Sequence, residues 1–323
     1  MSSPSYESVF ISGGAGFIGN HLTRRLLARD DVRRVVIYDN FSSGLDAYLS
    51  DLKSDARLEI VRADLKDKDA VTTAMRGCEV VFHLAANPDI AKAVTQPDID
   101  FYEGTLLAQN VLEAIRVNGV KRLLYTSGSG VYGDNAQVAF AENYGPCVPI
   151  STYGASKLAC EALIAAYCHM FGLTARAFRF ANVVGPRQTH GVGYDFVRRL
   201  KSDPTQLRIL GDGSQSKSYI HVADILDAVF LADERCAAKY DVFNVATGDY
   251  ITVKEIADLA RDVCGASGAR YDFTGGDRGW KGDVPIVRFD CAKIESLGWR
   301  CHRTSAQAVR DAMAAMWEEI HHA

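Results

Sequence analysis

A glycine-rich turn near the start of the chain is the feature that most constrains its fold. Gly13, Gly16 and Gly19 follow an apolar strand pattern at Val9–Ile11 and precede a helical pattern. Glycines at i, i+3 and i+6 allow a tight turn, a close approach of backbone amides to a ligand, and close packing of the helix on the strand. Because the free N–H groups of a helix N-terminus attract anions, the pattern predicts a cradle for the diphosphate of a dinucleotide.

An acidic residue at the end of the next strand pattern indicates which dinucleotide is bound. The pattern Arg34–Tyr38 is followed by Asp39 and Asn40, twenty residues after Gly19. A carboxylate there can accept hydrogen bonds from both ribose hydroxyls and repels a 2′-phosphate, which favours NAD over NADP. The alternative is that Asp39 only caps the turn at 42–44, but the order strand, glycine turn, helix, strand, Asp favours the dinucleotide.

Length, charge and cysteine usage narrow the class of protein. A chain of 323 residues can bury a substantial core, and its net charge of −4 gives no reason to expect nucleic acid or an anionic membrane as a partner. No apolar run is long enough to span a bilayer, and residues 1–8 lack the apolar stretch of a secretion signal. Eight cysteines without a Cys-x-x-Cys pair predict reduced thiols in a cytoplasm, and neither they nor the eight histidines predict a metal site.

Alternating strand and helix patterns predict the fold class. Strand patterns lie at 58–61, 80–84, 122–126, 175–180 and 242–245, and helical patterns at 106–117, 151–171, 252–263 and 305–320. Such alternation builds an α/β fold with a doubly wound parallel (Rossmann) sheet that binds ligands at the carboxyl ends of its strands. We expect 1–177, with 218–246 returning to it, to form an NAD-binding domain, and 178–217 and 247–323 to form a smaller, interwoven C-terminal substrate domain.

Two residues on the helix pattern at 151–171 predict proton-transfer chemistry. Tyr153 and Lys157 lie four apart and therefore share one helix face. A phenol is a poor base at neutral pH, with a reference pKa of about 10, but a neighbouring ammonium stabilises the phenolate. Tyr153 could then remove a proton from a sugar hydroxyl as hydride leaves the same carbon. The pair alone is also an ordinary surface pair, and its weight comes from the motifs that surround it.

Taken together, the motifs resemble those of the extended short-chain dehydrogenase/reductases, in the NAD-dependent nucleotide-sugar epimerase/dehydratase family. The resemblance covers nearly the whole chain. It is carried by the glycine turn, 38–44, Asp64–Leu65, His83–Ala86, Val131–Gly133, the Tyr153/Lys157 pair, 179–187 and 219–224. It implies a UDP-sugar substrate and a homodimer that pairs helices near Leu106 and Ala159, while the charge and the lack of a spanning apolar run predict no nucleic-acid or membrane partner.

The resemblance also implies a role for individual residues. Asp64 and Leu65 would hold the adenine, Ala85 and Ala86 would line the nicotinamide side, and Lys157 would hold the nicotinamide ribose. The full set of cofactor-binding candidates is Gly13, Gly16, Phe17, Ile18, Gly19, Asp39, Asn40, Ser43, Gly44, Asp64, Leu65, Leu84, Ala85, Ala86, Tyr153 and Lys157. Candidates for the substrate are Ser127, Tyr132, Asn182, Lys217 and Arg278.

Several of these residues have a simpler interpretation. His83 is more readily a core residue beneath the cofactor, and Asn182 can cap a turn. Asp224 and His221 are expected to fasten the interwoven domains. Arg278 has the forked geometry that suits a diphosphate, whereas Lys217 offers a point charge where many members of the family carry another arginine.

The chain departs from the family at the catalytic hydroxyl. Aligned on Val131–Gly133, the usual Ser or Thr falls at Gly128, which leaves Ser127 or Ser129 as substitutes. Ser129 and Gly130 also stand where 4,6-dehydratases carry an acidic pair, which argues against 4,6-dehydration. The catalytic candidates are Tyr153, Lys157, Ser127, Ser129, Cys147 and Glu142. Cys147, Glu142 or Tyr132 could act as the base at C5 or the acid at C6 of a sugar. Cys147 is more readily a buried inert thiol, and Glu142 can equally hold a turn or fasten the domains.

As a whole, the chain most resembles the members that convert UDP-N-acetylglucosamine to a 5,6-ene in the tunicamycin pathway of antibiotic biosynthesis. We therefore expect a lyase that oxidises C4, eliminates water across C5 and C6 and returns the hydride to C4. The first alternative is a UDP-hexose or UDP-N-acetylglucosamine 4-epimerase. The second is a non-catalytic NAD-binding sensor or scaffold, and a ketoreductase that uses external NADPH is disfavoured by Asp39.

Overall fold

The structure, a computed structural model, describes residues 4–279 and 282–322. Contacts between Cα atoms divide the chain into two compact units. Unit 1 contains the residues up to Val131 together with Thr152–Arg179 and Val229–Phe243, and unit 2 contains Tyr132–Ser151, Phe180–Ala228 and the chain from Asn244 onwards. The chain therefore passes between the two units several times.

The strands of the described residues have the following bounds: β1 Ser8–Ser12, β2 Arg34–Asp39, β3 Leu58–Arg62, β4 Val80–His83, β5 Arg122–Gly128, β6 Ala139–Phe140, β7 Thr174–Phe180, β8 Asn182–Val184, β9 Gln206–Ile209, β10 Ser216–Lys217, β11 Tyr219–His221, β12 Tyr240–Val245, β13 Ile251–Thr252, β14 Arg270–Phe273 and β15 Arg288–Phe289. The α-helices are α1 Phe17–Leu27, α2 Lys68–Ala74, α3 Leu106–Asn118, α4 Thr152–Phe171, α5 Val192–Ser202, α6 Val222–Arg235, α7 Val253–Val263, α8 Ala292–Ser296 and α9 Ser305–His322. Every strand and helix pattern identified in the sequence corresponds to one of these elements.

Unit 1 is built around a seven-stranded sheet with the order β12-β7-β5-β4-β1-β2-β3. β1 pairs in parallel with β2 and β4, β2 with β3, and β4 with β5. The strands are nearly continuous apolar runs, and Val9, Phe10 and Ile11 are fully buried, as expected of a sheet covered on both faces. The fold class expected from the sequence, a doubly wound parallel sheet, is confirmed.

In the described part of unit 2, short strand pairs accompany a core formed by α5, α7 and α9. β8 pairs in parallel with β11, β9 with β14, and β6 with β15, while β10 and β13 are antiparallel. α5, α7 and α9 share one hydrophobic core that includes Phe196, Ile256 and Met313. α7 begins with a capping box, in which Thr252 Oγ1 accepts the Glu255 N–H at 3.2 Å and the Glu255 carboxylate accepts the Thr252 N–H at 2.7 Å.

Two long segments and two short ones differ from the expected domain boundaries. The expected NAD-binding domain includes 132–151 and 218–228, but both belong to unit 2, as does 244–246, whereas 178–179 belong to unit 1. The reason is strand pairing, because β6 within the first segment pairs with β15, and β11 within the second pairs with β8. Among the described residues, no helix combines the length and the apolar character needed to cross a membrane.

Candidate active site

The glycine turn joins β1 to α1 in unit 1, and close packing explains its glycines. Gly13 has a φ of +75°, and a Cβ there would lie 2.9 Å from the backbone nitrogen of Ala85. A Cβ on Gly19 would lie 2.2 Å from the Gly13 carbonyl oxygen. α1 begins at Phe17 with Gly16 as its N-cap, and within the described residues neither a capping side chain nor an acidic residue occupies its first turn. The first N–H groups of α1 are therefore available to an anion.

Asp39, at the end of β2, holds this turn in place. Its Oδ2 accepts the N–H of Ala15 at 2.9 Å and its Oδ1 accepts the N–H of Phe41 at 2.7 Å. Burial raises the pKa of this carboxyl group above its usual value. Each carboxylate oxygen has a second lone pair, so Asp39 can orient the turn and still accept ribose hydroxyls. Because Asp39 accepts the N–H of Ala15, it does more than cap the turn at 42–44.

The other candidates for the cofactor lie around the same strand ends. Gly44 packs against Ala15, where a Cβ would lie 2.7 Å from the Ala15 Cβ, and Asn40 and Ser43 are exposed. Asp64 is half-buried and accepts Asn40 Nδ2 at 3.3 Å. Leu65 is buried and its carbonyl accepts Asn110 Nδ2 at 2.9 Å. Leu84, Ala85 and Ala86, like Ile18, are half-buried.

His83, at the end of β4, is a core residue. It is 1% exposed, its Nδ1 shares a hydrogen bond of 2.6 Å with Ser12 Oγ, and its ring stacks on Tyr125. Burial, helped by the charge of Lys157, lowers the pKa of His83 to about 3. The imidazole is therefore neutral at physiological pH, as the simpler interpretation of this residue requires.

The two central catalytic candidates lie on one face of α4. Lys157 is 5% exposed, donates from Nζ to the Thr126 carbonyl at 2.7 Å, and has Nζ 5.5 Å from the centroid of the Tyr153 ring. Tyr153 is half-buried. The start of α4 approaches the 3₁₀ turn Ser129–Val131 closely, since a Cβ on Gly130 would lie 3.3 Å from the Gly154 Cα. An ammonium that is anchored beside a partly accessible phenol is an arrangement suited to proton transfer.

The structure distinguishes the residues proposed to replace the missing hydroxyl. Ser127 is 6% exposed and its Oγ donates to Glu161 Oε1 at 2.5 Å, so its hydroxyl is committed to a buried partner. This disagrees with Ser127 as a catalytic or substrate-binding group. Ser129 is half-buried in a 3₁₀ turn, Ser129–Val131. A Cβ on Gly128 would have no neighbouring atom within 4 Å among the described residues.

Unit 2 holds the candidates for the nucleotide diphosphate. Lys217 Nζ is paired with Asp283 Oδ1 at 2.5 Å, and Arg278 Nη2 with Asp134 Oδ2 at 2.6 Å. Asn182, the first residue of β8, is exposed and directs Nδ2 to the Ser218 carbonyl at 3.4 Å. Both cationic candidates are thus bound to carboxylates, which the sequence patterns did not indicate.

Three further candidates in unit 2 have structural partners. Tyr132 is 2% exposed and donates its hydroxyl to Asn244 Oδ1 at 2.6 Å, which disagrees with a role in substrate binding. Glu142 accepts the N–H of Asn244 at 2.8 Å, and burial raises the pKa of this carboxyl group. Cys147 is half-buried, with Sγ 3.5 Å from the Tyr144 carbonyl oxygen. The structural interpretation is therefore favoured for Tyr132 and Glu142.

Comparison with known proteins identifies the family. The sequence profile of the NAD dependent epimerase/dehydratase family matches residues 9–246. The chain belongs to this family. The UDP-glucose 4-epimerase of Mycolicibacterium smegmatis is 34% identical over 306 residues, which cover 93% of this chain and 95% of that protein. This epimerase/dehydratase is therefore an enzyme, as the sequence predicted.

Two solved structures support the same assignment. A UDP-galactose 4-epimerase has a TM-score of 0.84 at 35% identity and covers 97% of this chain and 99% of its own. The dTDP-glucose 4,6-dehydratase DesIV of Streptomyces venezuelae, solved with NAD bound, has a TM-score of 0.87 at 27% identity and covers 97% of each chain. Both epimerases and dehydratases thus share the architecture of this chain.

The residues of the epimerase/dehydratase fit NAD, and the family confirms the cofactor prediction. Any side chain at Gly13 or Gly19 would collide with backbone atoms, so the turn keeps the compact form of a diphosphate cradle. The uncapped start of α1 and the buried carboxylate of Asp39 supply the donors and acceptors that a diphosphate and a ribose need.

Three acidic residues near the candidates were missed by the sequence analysis. Asp134 follows the Val131–Gly133 motif directly, and Asp283 lies five residues after Arg278. Glu161 lies four residues after Lys157, on the same helix face, and this spacing was the available signal.

Asp224 pairs with Arg303 at 3.1 Å within unit 2. Asp224, Asp227 and His302 also bring potential metal-ligand atoms within 4.8 Å of one another, a grouping that the histidine pattern did not reveal.

Proposed function

We propose that this epimerase/dehydratase is a UDP-sugar 4-epimerase that oxidises C4 of a hexose or N-acetylhexosamine transiently. The observation that carries the proposal is the pair on α4, with Lys157 Nζ anchored to Thr126 and 5.5 Å from the centre of the Tyr153 ring. The relatives named as UDP-glucose and UDP-galactose 4-epimerases support this outcome over elimination.

Tyr153 is the proposed base. Its phenolate takes the proton of the C4 hydroxyl, and the positive charge of Lys157 stabilises that phenolate. Lys157 has three N–H donors and uses one on Thr126, so two are left for the nicotinamide ribose and the phenol oxygen. NAD held by the glycine turn and Lys157 would supply the hydride acceptor for C4 and the donor for its return to the other face, so the reaction would have no net redox change.

A second hydroxyl beside the base is proposed to be that of Ser129. Ser127 is committed to Glu161, and Gly128 has no side chain. Ser129 is partly accessible and lies in the turn that directly follows β5. In this assignment the hydroxyl of Ser129 shares the substrate proton with Tyr153.

Lys217, Arg278 and Asn182 in unit 2 are proposed to bind the nucleotide diphosphate. Lys217 is 22% exposed in its side chain and Arg278 is 38% exposed, so both cationic side chains are reachable from solvent. A diphosphate offers more acceptor oxygens than one carboxylate and can replace Asp283 and Asp134 as their partner. Binding would then be an exchange of anions.

A homodimer and a cytoplasmic location are further parts of the proposal. Phe101, Tyr102, Met170 and Phe171, which lie next to or within α3 and α4, are 44–71% exposed. Large apolar groups exposed in this way favour association. Sedimentation velocity measures the oligomeric state, and a monomer at micromolar concentration contradicts the dimer.

The eight cysteines are all thiols, which favours the proposed cytoplasmic location because the cytoplasm is a reducing compartment.

5,6-Dehydration of UDP-N-acetylglucosamine is the second candidate function, and Gly128 favours it. The hydroxyl expected of an ordinary 4-epimerase is absent from Gly128, where the space around a Cβ is open in the described structure. Cys147 is the remaining candidate for the C5 base, since Glu142 already accepts a backbone N–H. This reaction also begins with Tyr153 and the C4 ketone, so both candidates share their first step.

Incubation with UDP-glucose and UDP-N-acetylglucosamine, followed by proton NMR, distinguishes the candidates. Epimerisation gives galacto-configured products, whereas elimination gives vinyl proton signals. Gly128→Ser is the matched variant, because the open space accepts the side chain without repacking. It should raise the epimerisation rate if that reaction is native. If neither substrate gives a galacto-configured product or vinyl proton signals, the proposal is contradicted. Release of mostly NADP on denaturation contradicts the role of Asp39.

A further inference from the structure

A buried carboxylate one helical turn beyond Lys157 has no part in the proposed chemistry. Glu161 on α4 is 4% exposed, and its Oε2 is 2.6 Å from Nη2 of Arg179 on β7. Its Oε1 accepts Arg179 Nε at 3.0 Å and the Ser127 hydroxyl at 2.5 Å. Because buried charges are costly unless they are paired and hydrogen-bonded, each member of this group depends on the others.

The group joins α4 to the same strand end that anchors Lys157. Lys157 and Glu161 are four residues apart and share one face of α4. Lys157 donates to the carbonyl of Thr126, and Glu161 accepts from the hydroxyl of Ser127, the next residue of β5. Two consecutive residues of β5 are thus held by two consecutive turns of α4.

We infer that Glu161 is a positioning residue for the catalytic pair. Through Ser127 it fixes the carboxyl end of β5 against α4, which keeps the Thr126 carbonyl in place to hold the Lys157 ammonium beside Tyr153. Arg179 completes the group by connecting it to β7 and by balancing the charge of Glu161. The inference rests on the proposed function, because it takes Tyr153 as the base whose phenolate Lys157 stabilises.

The structure offers a matched control within the same unit. Asp233 on α6 is 7% exposed, accepts the Tyr6 hydroxyl at 2.6 Å, and lies 3.4 Å from Arg122 Nε. Arg122 is the first residue of β5, and Ser127 is the residue before the last one, Gly128. Glu161→Gln and Asp233→Asn therefore both remove a buried carboxylate charge beside an arginine and a hydroxyl, at opposite ends of one strand.

The test compares Glu161→Gln, Ser127→Ala and Asp233→Asn with the unaltered enzyme. A displacement of catalytic groups by about 1 Å lowers rates about 100-fold, so kcat of Glu161→Gln should fall about 30- to 100-fold with KM changed less than about twofold. Ser127→Ala, which leaves the ion pair intact, should lower kcat about tenfold. In both variants the acidic limb of kcat against pH should move to higher pH, because the phenolate loses the ammonium that stabilises it.

Asp233→Asn should lower the melting temperature about as much as Glu161→Gln while kcat and its pH profile stay unchanged. If Glu161→Gln lowers only the melting temperature, Glu161 merely stabilises the fold and the inference is wrong. A loss in Ser127→Ala of about 1000-fold, at unchanged melting temperature, would instead show that Ser127 acts on the substrate. If Glu161→Gln does not fold, the pH profile of Ser127→Ala decides the question. Turnover retained by Tyr153→Phe overturns the proposed function itself, independently of these variants.

Discussion

The charged groups beside Tyr153 in unit 1 and the cationic candidates for the diphosphate in unit 2 are held in different ways. In unit 1, Glu161 and Arg179 are about 5% exposed in their side chains, and Lys157 is equally buried. In unit 2, Lys217 is 22% exposed and Arg278 is 38% exposed, and each is paired with one carboxylate. The first group is excluded from water, whereas the second remains within reach of dissolved anions.

This difference separates two tasks of the proposed enzyme. Removal of one partner from a buried pair leaves an uncompensated charge, so the groups of unit 1 keep their partners and stay in fixed positions. A partly exposed ion pair such as Arg278–Asp134 contributes about 0–1 kcal/mol, so we propose that a stronger anion replaces Asp134, whereas Asp283 is buried and also accepts the N–H of Gly279. Fixed groups suit proton transfer, and exchangeable groups suit a substrate that must enter and leave.

The largest expected effect is at Tyr153, beside the buried ammonium of Lys157. Tyr153→Phe removes the proposed base and keeps the ring beside Lys157, so kcat should fall about 1000-fold while the melting temperature is unchanged. Product formation followed by NMR, with the NAD content measured after denaturation, checks this. Turnover within tenfold of the unaltered enzyme removes Tyr153 from the mechanism.

A smaller effect is expected at the exchangeable arginine. Arg278→Ala removes a charge-assisted fork and should weaken UDP binding about 10- to 100-fold. The UDP affinity of Arg278→Lys should lie between those of Arg278→Ala and the unaltered protein, because lysine keeps only a point charge. Isothermal titration with UDP measures both variants. Equal affinities in all three proteins would show that Arg278 serves only its pair with Asp134.

His83 provides a pH test of the fixed region. Burial and the charge of Lys157 lower its pKa to about 3, whereas an unfolded histidine titrates near 6.5. The unfolded chain therefore takes up the proton first, so this contribution to stability is present above about pH 6.5 and is lost as the pH falls towards 3. By about pH 5 the loss is about 2 kcal/mol.

The free energy of unfolding in urea is measured at about pH 7 and at about pH 5, for the unaltered protein and for His83→Gln. The difference between the two proteins isolates the contribution of His83 from that of the carboxyl groups. The variant should lose about 2 kcal/mol less between about pH 7 and pH 5. The same pH dependence in both proteins would show that His83 is accessible to protons in the folded state.

The smallest expected effect is a gain of affinity. Asp134→Asn frees Arg278 from its carboxylate, so UDP should bind about two- to fivefold more tightly. Asp46→Asn is the matched control, because Asp46 forms exposed pairs with Lys53 and Arg62 in unit 1 and should leave UDP binding unchanged. Weaker binding by Asp134→Asn would mean that Asp134 positions Arg278 rather than competing for it.

Local chain chemistry made much of the molecule predictable. The strands of unit 1 are short apolar runs between turns, and the glycines at 13 and 19 are required by a close approach of backbone atoms. Tyr153 and Lys157 could be paired because helix geometry places residues four apart on one face. Each of these inferences depends on spacing within about twenty residues.

The partners of charged and polar groups were not predictable in the same way. The commitment of Ser127 to Glu161, and that of Tyr132 to Asn244, joins residues 34 and 112 positions apart. The assignment of 132–151 to unit 2 likewise depends on the pairing of β6 with β15. A hydroxyl in a sequence offers chemistry, but only packing decides whether a buried acceptor already holds it.

The amino-acid sequence by itself determined the sheet, the glycine turn and the positions of the proposed base and its ammonium, because these depend on local periodicity and on which residues can occupy tight turns. The tertiary structure alone decided which charges are buried with a partner and which remain partly exposed. Burial and ion pairing arise from distant segments that meet in space, and no local pattern encodes that meeting.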